Sequence, residues 1–401
     1  MGAKAMDIET VHHALRCPQA ARSAQRPCLR PGVDSRRIGP DTVIAEPAGR
    51  RHLLVDDTHL EIARSCDGRT DPAAIVDRFG RAALSFIDEL RTNGFLVEAD
   101  LPAERAVSVS AKGVEFARFG NFIGVLERAG FGNLTRWPIG VLATVAAAVG
   151  AALLRSGHNR HATALARPTV AVWCLVLASL AAGFVHEVAH ALVIARHGRR
   201  VGAAGFGIYW GSLSFFVDSS DALLLDRTAR IGQAAAGPLA DLLTGGCLAI
   251  AASRLGPAPA GVPLHALAVV VMLSALLNVV PLLQLDGYWL LSDALDEPRL
   301  REEAFGALLH PGRWRSRHQG VLATYAAVSL LFGGALLVGA ATVWLHELWP
   351  VATAGYRSSR IGAAGAFVFV APVAASLVLQ LADPLIGRLR GARPATEGGE
   401  K

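Results

Sequence analysis

Residues 169–194 read TVAVWCLVLASLAAGFVHEVAHALVI, a run apolar enough to cross a bilayer and interrupted by one carboxylate and two imidazoles. Those three groups, His186, Glu187 and His190, form the pattern H-E-x-x-H. On a helix, positions i and i+4 project from one face, so both imidazoles can reach a single zinc ion while Glu187 stands beside them as a general base toward water. In soluble helices so short a pattern arises by chance at no cost. Inside a membrane a carboxylate near the helix centre costs on the order of 3 kcal/mol, and ionisable residues there are functional by default. The placement therefore favours metal ligation over a structural His/Glu cluster.

The composition agrees with a membrane setting. The chain has 401 residues, of which 52% are hydrophobic and only 18% charged, and its mean hydropathy is +0.38. An ordinary soluble enzyme of this size is excluded by that balance, and a polytopic membrane protein is implied. Arg, Asp and Glu are frequent up to residue 136, whereas the first long apolar stretch begins at Trp137. No continuous apolar segment in residues 1–30 resembles a signal peptide, which predicts a cytoplasmic N-terminus. The net charge of +6 suits a surface next to anionic lipid. No compact basic run with interleaved aromatics points to nucleic acid. Cys17, Cys28, Cys66, Cys174 and Cys247 show no C-x-x-C spacing, so neither a disulfide framework nor a cysteine-ligated zinc is expected.

Six stretches approach the ~20 residues that a helix needs to span the hydrocarbon core. They are Trp137–Leu154, Thr169–Ile194, Ala229–Ala252, Leu264–Leu283, Val321–Val343 and Ile361–Leu381, the third interrupted by Gly237, Pro238 and Asp241. Residues 201–217 instead alternate Gly, aromatic and β-branched residues, which predicts a β-hairpin at the membrane surface. With the N-terminus inside, fourteen Lys and Arg fall in cytoplasmic loops and tail against six on the opposite side, as the positive-inside rule requires. The predicted location is thus the cytoplasmic membrane, with several passes. His186 then lies about 15 Å from the cytoplasmic end of its helix at 1.5 Å per residue, so the site is immersed but opens inward.

Before the membrane part, residues 1–35 are low in hydrophobicity and predict disorder. Residues 36–100 read as a small winged-helix-like α+β domain. RHLLVDD forms a strand, HLEIARSC, PAAIVDRF and ALSFIDELRTNG form helices, the last stopped at Gly94, and FLVEAD forms a further strand. Residues 101–136 are a connector whose segment 114–131 sets Phe116, Phe119, Phe122, Ile123 and Leu126 among charges. That pattern fits an interfacial amphipathic helix or an ordinary packing helix equally. A membrane domain over 137–383 and a cytoplasmic tail over 384–401 complete the chain.

Two histidines leave a catalytic zinc site one protein ligand short. Asp286, in NVVPLLQLDGYW from Asn278 to Trp289, is the preferred third ligand, because Pro281 bends the chain and Gly287 lets it pass close to a metal. Asp241 is the alternative. Asn278 is a polar residue in an apolar helix that can hydrogen-bond either a substrate backbone or a neighbouring helix.

Taken together, H-E-x-x-H in one span and N-x-x-P-x-x-x-L-D-G in a later one resemble the site-2 protease family of intramembrane zinc metalloproteases. The resemblance implies His186, His190 and Asp286 as zinc ligands, Glu187 as general base and Asn278 as a substrate-binding residue. Ala236-Gly237-Pro238 also resembles a motif of that family's intervening helix, while Gln284 stands where many members have proline. The string DGYWLLSD, Asp286 to Asp293, is more similar to the peptide-maturation branch, of the daptide type or another modified-peptide pathway, than to the regulatory branch. Residues 253–263 leave no room for the PDZ domain that many regulatory members carry. Residues 36–100 resemble PqqD-like domains, which take up leader peptides as an added strand; a winged helix that only packs or binds DNA is the other reading. The implied function is removal of a leader from a ribosomally made, modified precursor peptide, with the lipid bilayer, modifying enzymes or an exporter as partners. Alternatives are a regulatory protease cutting a membrane-bound transcription inhibitor and a non-enzymatic exporter or immunity protein.

Overall fold

A computed structural model of the chain describes residues 26–46, 51–97, 113–116, 118–155, 168–209, 212–255, 261–310, 317–343 and 346. The chain divides into two units, Met1–Val109 and Ser110–Lys401.

In the first unit, β1 (Asp34–Ile38), β2 (Asp41–Ala45) and β3 (His52–Val55) form an antiparallel sheet in that order. Three helices follow: α1 (Asp57–Ser65), α2 (Pro72–Phe79) and α3 (Ala82–Thr92). Their starts are legible, because the side chains of Asp56 and Asp71 accept hydrogen bonds from the first-turn amides of α1 and α2, the usual N-cap arrangement. Gly94 follows α3 at φ +75°. The core joins Ile44 and Val55 of the sheet to Leu60, Ile62, Ile75, Phe86, Ile87 and Leu90 of the helices. Burial there pushes the Cys66 thiol up to about 12.

Two expectations are corrected in this unit. Leu29 and Val33 belong to the core, so the ordered unit starts before residue 36; two or three buried apolar side chains among arginines and prolines are too sparse a signal for sequence reading. FLVEAD, as far as it is described, forms a single bridge and not a full strand: Leu96 pairs antiparallel with Leu29, flanked by Arg30 N–H to Phe95 O and Val97 N–H to Cys28 O. Cys28 is also disulfide-bonded, whereas Cys66 and Cys247 are free. Pairing follows proximity in space and leaves no trace in C-x-x-C spacing.

In the second unit, four helices are long and apolar enough to cross a membrane among the described residues. They lie within α5 (Trp137–Arg155), α6 (Pro168–Arg196), α7 (Arg227–Leu255) and α11 (Arg317–Val343). A shorter apolar helix, α8 (Gly261–Val279), ends before the expected limit at Leu283. The reason is Pro281, which removes an N–H and turns its preceding residue away from helical geometry. Two shorter helices follow, α9 (Asp286–Leu295) and α10 (Leu300–Leu309). The expected span 361–381 lies outside the described residues.

The hairpin expected over 201–217 is present as β5 (Ala204–Tyr209) and β6 (Ser212–Val217), with β4 (Gly113–Glu115) added antiparallel to β5. Helix α4 (Phe119–Arg128) buries Phe119 and Ile123 against Ala191 and Leu192 of α6 and leaves Phe122 and Val125 exposed. Part of the connector therefore packs on α6.

Helix α7 runs through the middle of this unit, in contact with α5, α6, α8 and α9. Small residues permit the approach: a methyl group on Gly246 would overlap the backbone of Ala146 and Ala147 at under 3.0 Å. Where lipid leaves no hydrophobic force between apolar helices, packing as close as this is what associates them. Gly246→Val should destabilise the protein by about 1–3 kcal/mol, as overpacking does, read as a lowered thermal midpoint in detergent.

Candidate metal centre

The centre begins with spacing. On α6, His186 and His190 are one turn apart and both buried, 8% and 6% exposed. Their rings lie 4.8 Å apart between centroids at 75°. Each ring then turns its Nδ1 to α7: His186 Nδ1 lies 2.9 Å from Asp241 Oδ2, and His190 Nδ1 lies 2.6 Å from the carbonyl oxygen of Gln233. A carbonyl can only accept, so His190 Nδ1 carries the hydrogen, and the Asp241 carboxylate orients His186 likewise. In the neutral rings the Nε2 atoms are therefore the lone-pair nitrogens. Those two atoms face each other at 3.1 Å.

Asp286 supplies the remaining donors. As the first residue of α9 it follows Leu285, whose backbone is extended, and its Oδ2 and Oδ1 lie 3.0 Å from His186 Nε2 and 3.4 Å from His190 Nε2. The chain reaches this point through the break after α8. Tyr325 on α11 donates its hydroxyl hydrogen to Pro281 O at 2.6 Å. A methyl group on Gly287 would overlap the carbonyls of Val279 and Asn278 at under 3.0 Å, so glycine is needed for α9 to start so near the end of α8.

These donors fit a metal ion. Two imidazole nitrogens and a carboxylate converge, a donor set that a cation can satisfy, and the three residues offer ligand atoms within 4.8 Å of one another. A tetrahedral ion with bonds of about 2.0–2.2 Å separates its ligand atoms by about 3.3–3.6 Å, close to the spacing found. Gly237 on α7 leaves the space free: a methyl group there would stand almost equidistant from His190 Nε2 and His186 Nε2, under 3.0 Å from each. At this position a side chain would occlude both nitrogens, and the residue carries none.

The sequence candidates are placed as follows. His186, His190 and Asp286 come together. Asp241, the alternative ligand, stands behind His186, on the Nδ1 side of its ring, and is 5% exposed. Glu187 is half-buried on α6, within electrostatic reach of both histidines and both aspartates. Asn278 is half-buried near the end of α8, and the hydrogen bonds of the cluster do not involve its side chain. Sequence reading missed Gln233 altogether, since its backbone carbonyl does the work and any residue would supply one. A second group, Glu297, Glu303 and His318, also gathers ligand atoms, but His318 and Glu303 are exposed.

No family model matches the chain, and neither a curated protein nor a solved structure does so.

Two substitutions separate the roles. Asp286→Asn should weaken metal binding by more than about 100-fold, leaving a two-histidine site whose remaining affinity can still be measured, whereas Asp241→Asn should weaken it by about 10–100-fold, the usual effect of losing a carboxylate behind a ligating histidine. Loss of metal in the Asp241 variant alone would exchange the two assignments. Gly237→Ala should abolish stoichiometric metal, measured by elemental analysis.

Proposed function

We propose that the chain is a zinc-dependent intramembrane endopeptidase of the site-2 protease type, which removes the leader from a ribosomally made, modified precursor peptide. One observation carries the reading: the lone-pair nitrogens of His186 and His190 converge with the Asp286 carboxylate, next to Glu187, among helices apolar enough to cross a membrane.

Zinc, when held by His186, His190 and Asp286, supplies Lewis acidity that lowers the pKa of water and polarises a scissile carbonyl. Glu187 takes a proton from the attacking water and returns it to the departing amine. Asp241 and the Gln233 carbonyl keep the two imidazoles in the tautomer that leaves Nε2 free to ligate. Asn278 serves as a hydrogen-bonding group for the substrate backbone.

A helical substrate hides its carbonyls within its own hydrogen bonds, so the cleaved segment must be extended. The strand order β4-β5-β6 gives β6 one edge that pairs with no strand among the described residues, and an extended segment can add there through backbone hydrogen bonds. In the first unit β1 and β3 are the sheet edges, and a leader bound as a fourth strand would use one of them. The arginine distribution favours a cytoplasmic N-terminus and a site open to that side, where a newly made precursor is found.

Glu187→Gln, purified in detergent and given the precursor, should lose cleavage by about 10²–10⁴-fold while its metal content stays unchanged. Retained cleavage with metal bound would reject the general-base role. Deletion of residues 1–100 should abolish binding of the leader peptide, measured by fluorescence anisotropy; unchanged binding would assign the first unit another task.

A further inference from the structure

Arg230 is among the most deeply buried charges of the described chain, 3% exposed on the first turn of α7. Its Nε lies 2.6 Å from Asp293 Oδ1 and its Nη2 2.8 Å from Asp296 Oδ1, while Nη1 donates to Leu225 O at 3.2 Å. Arg227, one turn earlier, donates to the carbonyls of Asp293 and Ala294. Two arginines of α7 thus hold the C-terminal end of α9, where cations complement the helix dipole.

The other end of α9 is Asp286. Asp286 precedes Asp293 by seven residues, and Gly237, which faces both Nε2 atoms, follows Arg230 by seven. Seven residues are two turns, about 10.5 Å, so the antiparallel α7 and α9 are joined at one end by the ion pairs and meet at the other around the donor cluster. Asp296 adds a second sign of purpose. It adopts φ 57° and ψ 38°, a left-handed conformation at a helix C-terminus where glycine is favoured. A side chain is present there nonetheless, and it reaches Arg230.

We propose that Arg230 is a positioning residue for Asp286: by gripping Asp293 and Asp296 it sets the register and rotation of α9 along α7, and so presents the Asp286 carboxylate to the two histidine nitrogens. A buried ion pair is a poor source of net stability but a good source of register, because both partners are strongly penalised when displaced. Helix α7 then holds all three donor residues: His186 through Asp241, His190 through the Gln233 carbonyl, and Asp286 through Arg230 and α9. The inference rests on the reading of His186, His190 and Asp286 as a metal site.

The test is a double-mutant cycle on the full chain in detergent, with cobalt(II) as probe and affinity read by visible absorption against a competing chelator. Arg230→Met should weaken cobalt binding by about tenfold, the lower end of what outer partners of a metal site contribute. In an Asp286→Asn background the same substitution should cause no further loss, since its effect passes through that carboxylate. An equal loss in both backgrounds would show a general structural role and overturn the proposal, as would wild-type affinity in Arg230→Met. If that variant does not fold, Asp296→Asn, which changes a carboxylate already 39% exposed, goes through the same cycle with the same criteria. Wild-type protein that binds no cobalt, and is indistinguishable from His186→Ala, would overturn the metal reading itself and this inference with it.

Discussion

An imidazole has two nitrogens, and whichever one is engaged decides what the other can do. In α6 both histidines give Nδ1 to α7, one to the Asp241 carboxylate and one to the Gln233 carbonyl. Both Nε2 lone pairs are thereby turned to the same point, 3.1 Å apart. With the Asp286 carboxylate at 3.0 and 3.4 Å, they form a donor set that a cation can fill. The approach of α7 is tied to this arrangement. Helix α7 must come close enough to accept from Nδ1, yet must present no side chain where the lone pairs meet, and Gly237 meets both conditions.

Bringing a carboxylate to the same point requires irregular backbone inside an apolar bundle. Non-helical backbone at membrane depth is tolerated only where protein or a water-filled cavity satisfies its polar groups. In the stretch from Val280 to Leu285, Tyr325 of α11 donates to Pro281 O, and Leu285 N–H donates within the stretch to Leu283 O. Pro281 ends α8, and Asp286 opens α9. A proline and an aspartate five residues apart are therefore parts of one device, in which the first breaks a helix so that the second can begin another at the donor cluster.

Much of this was legible in the residues. The i, i+4 histidines report a shared helix face because helical geometry is local, and the helices α1, α2 and α3 were legible for the same reason, although α1 starts at Asp57, two residues before the expected HLEIARSC. The alternating segment over 201–217 reported the hairpin β5–β6. Long-range features were not visible. Leu29 joins the first core across the chain, and β1 and β2 carry polar residues that mask their strand character. Asp241 stood out only as a carboxylate within an apolar stretch, which says that it matters but not whether it touches metal or imidazole. Arg230, Asp293 and Asp296 look like ordinary helix-end charges until α7 and α9 are seen side by side.

The sequence by itself determined that apolar spans exist, that one of them carries two imidazoles and a carboxylate on adjoining positions, and that a proline-broken segment ends in an aspartate. These are consequences of hydropathy, helical period and backbone chemistry, all set within a few residues. Only the tertiary structure decided which nitrogen of each histidine faces the donor cluster, which aspartate shares it and which stands behind, and why residue 237 bears no side chain. Those choices depend on helices separated by tens of residues approaching within a few ångströms, and no local pattern encodes that approach.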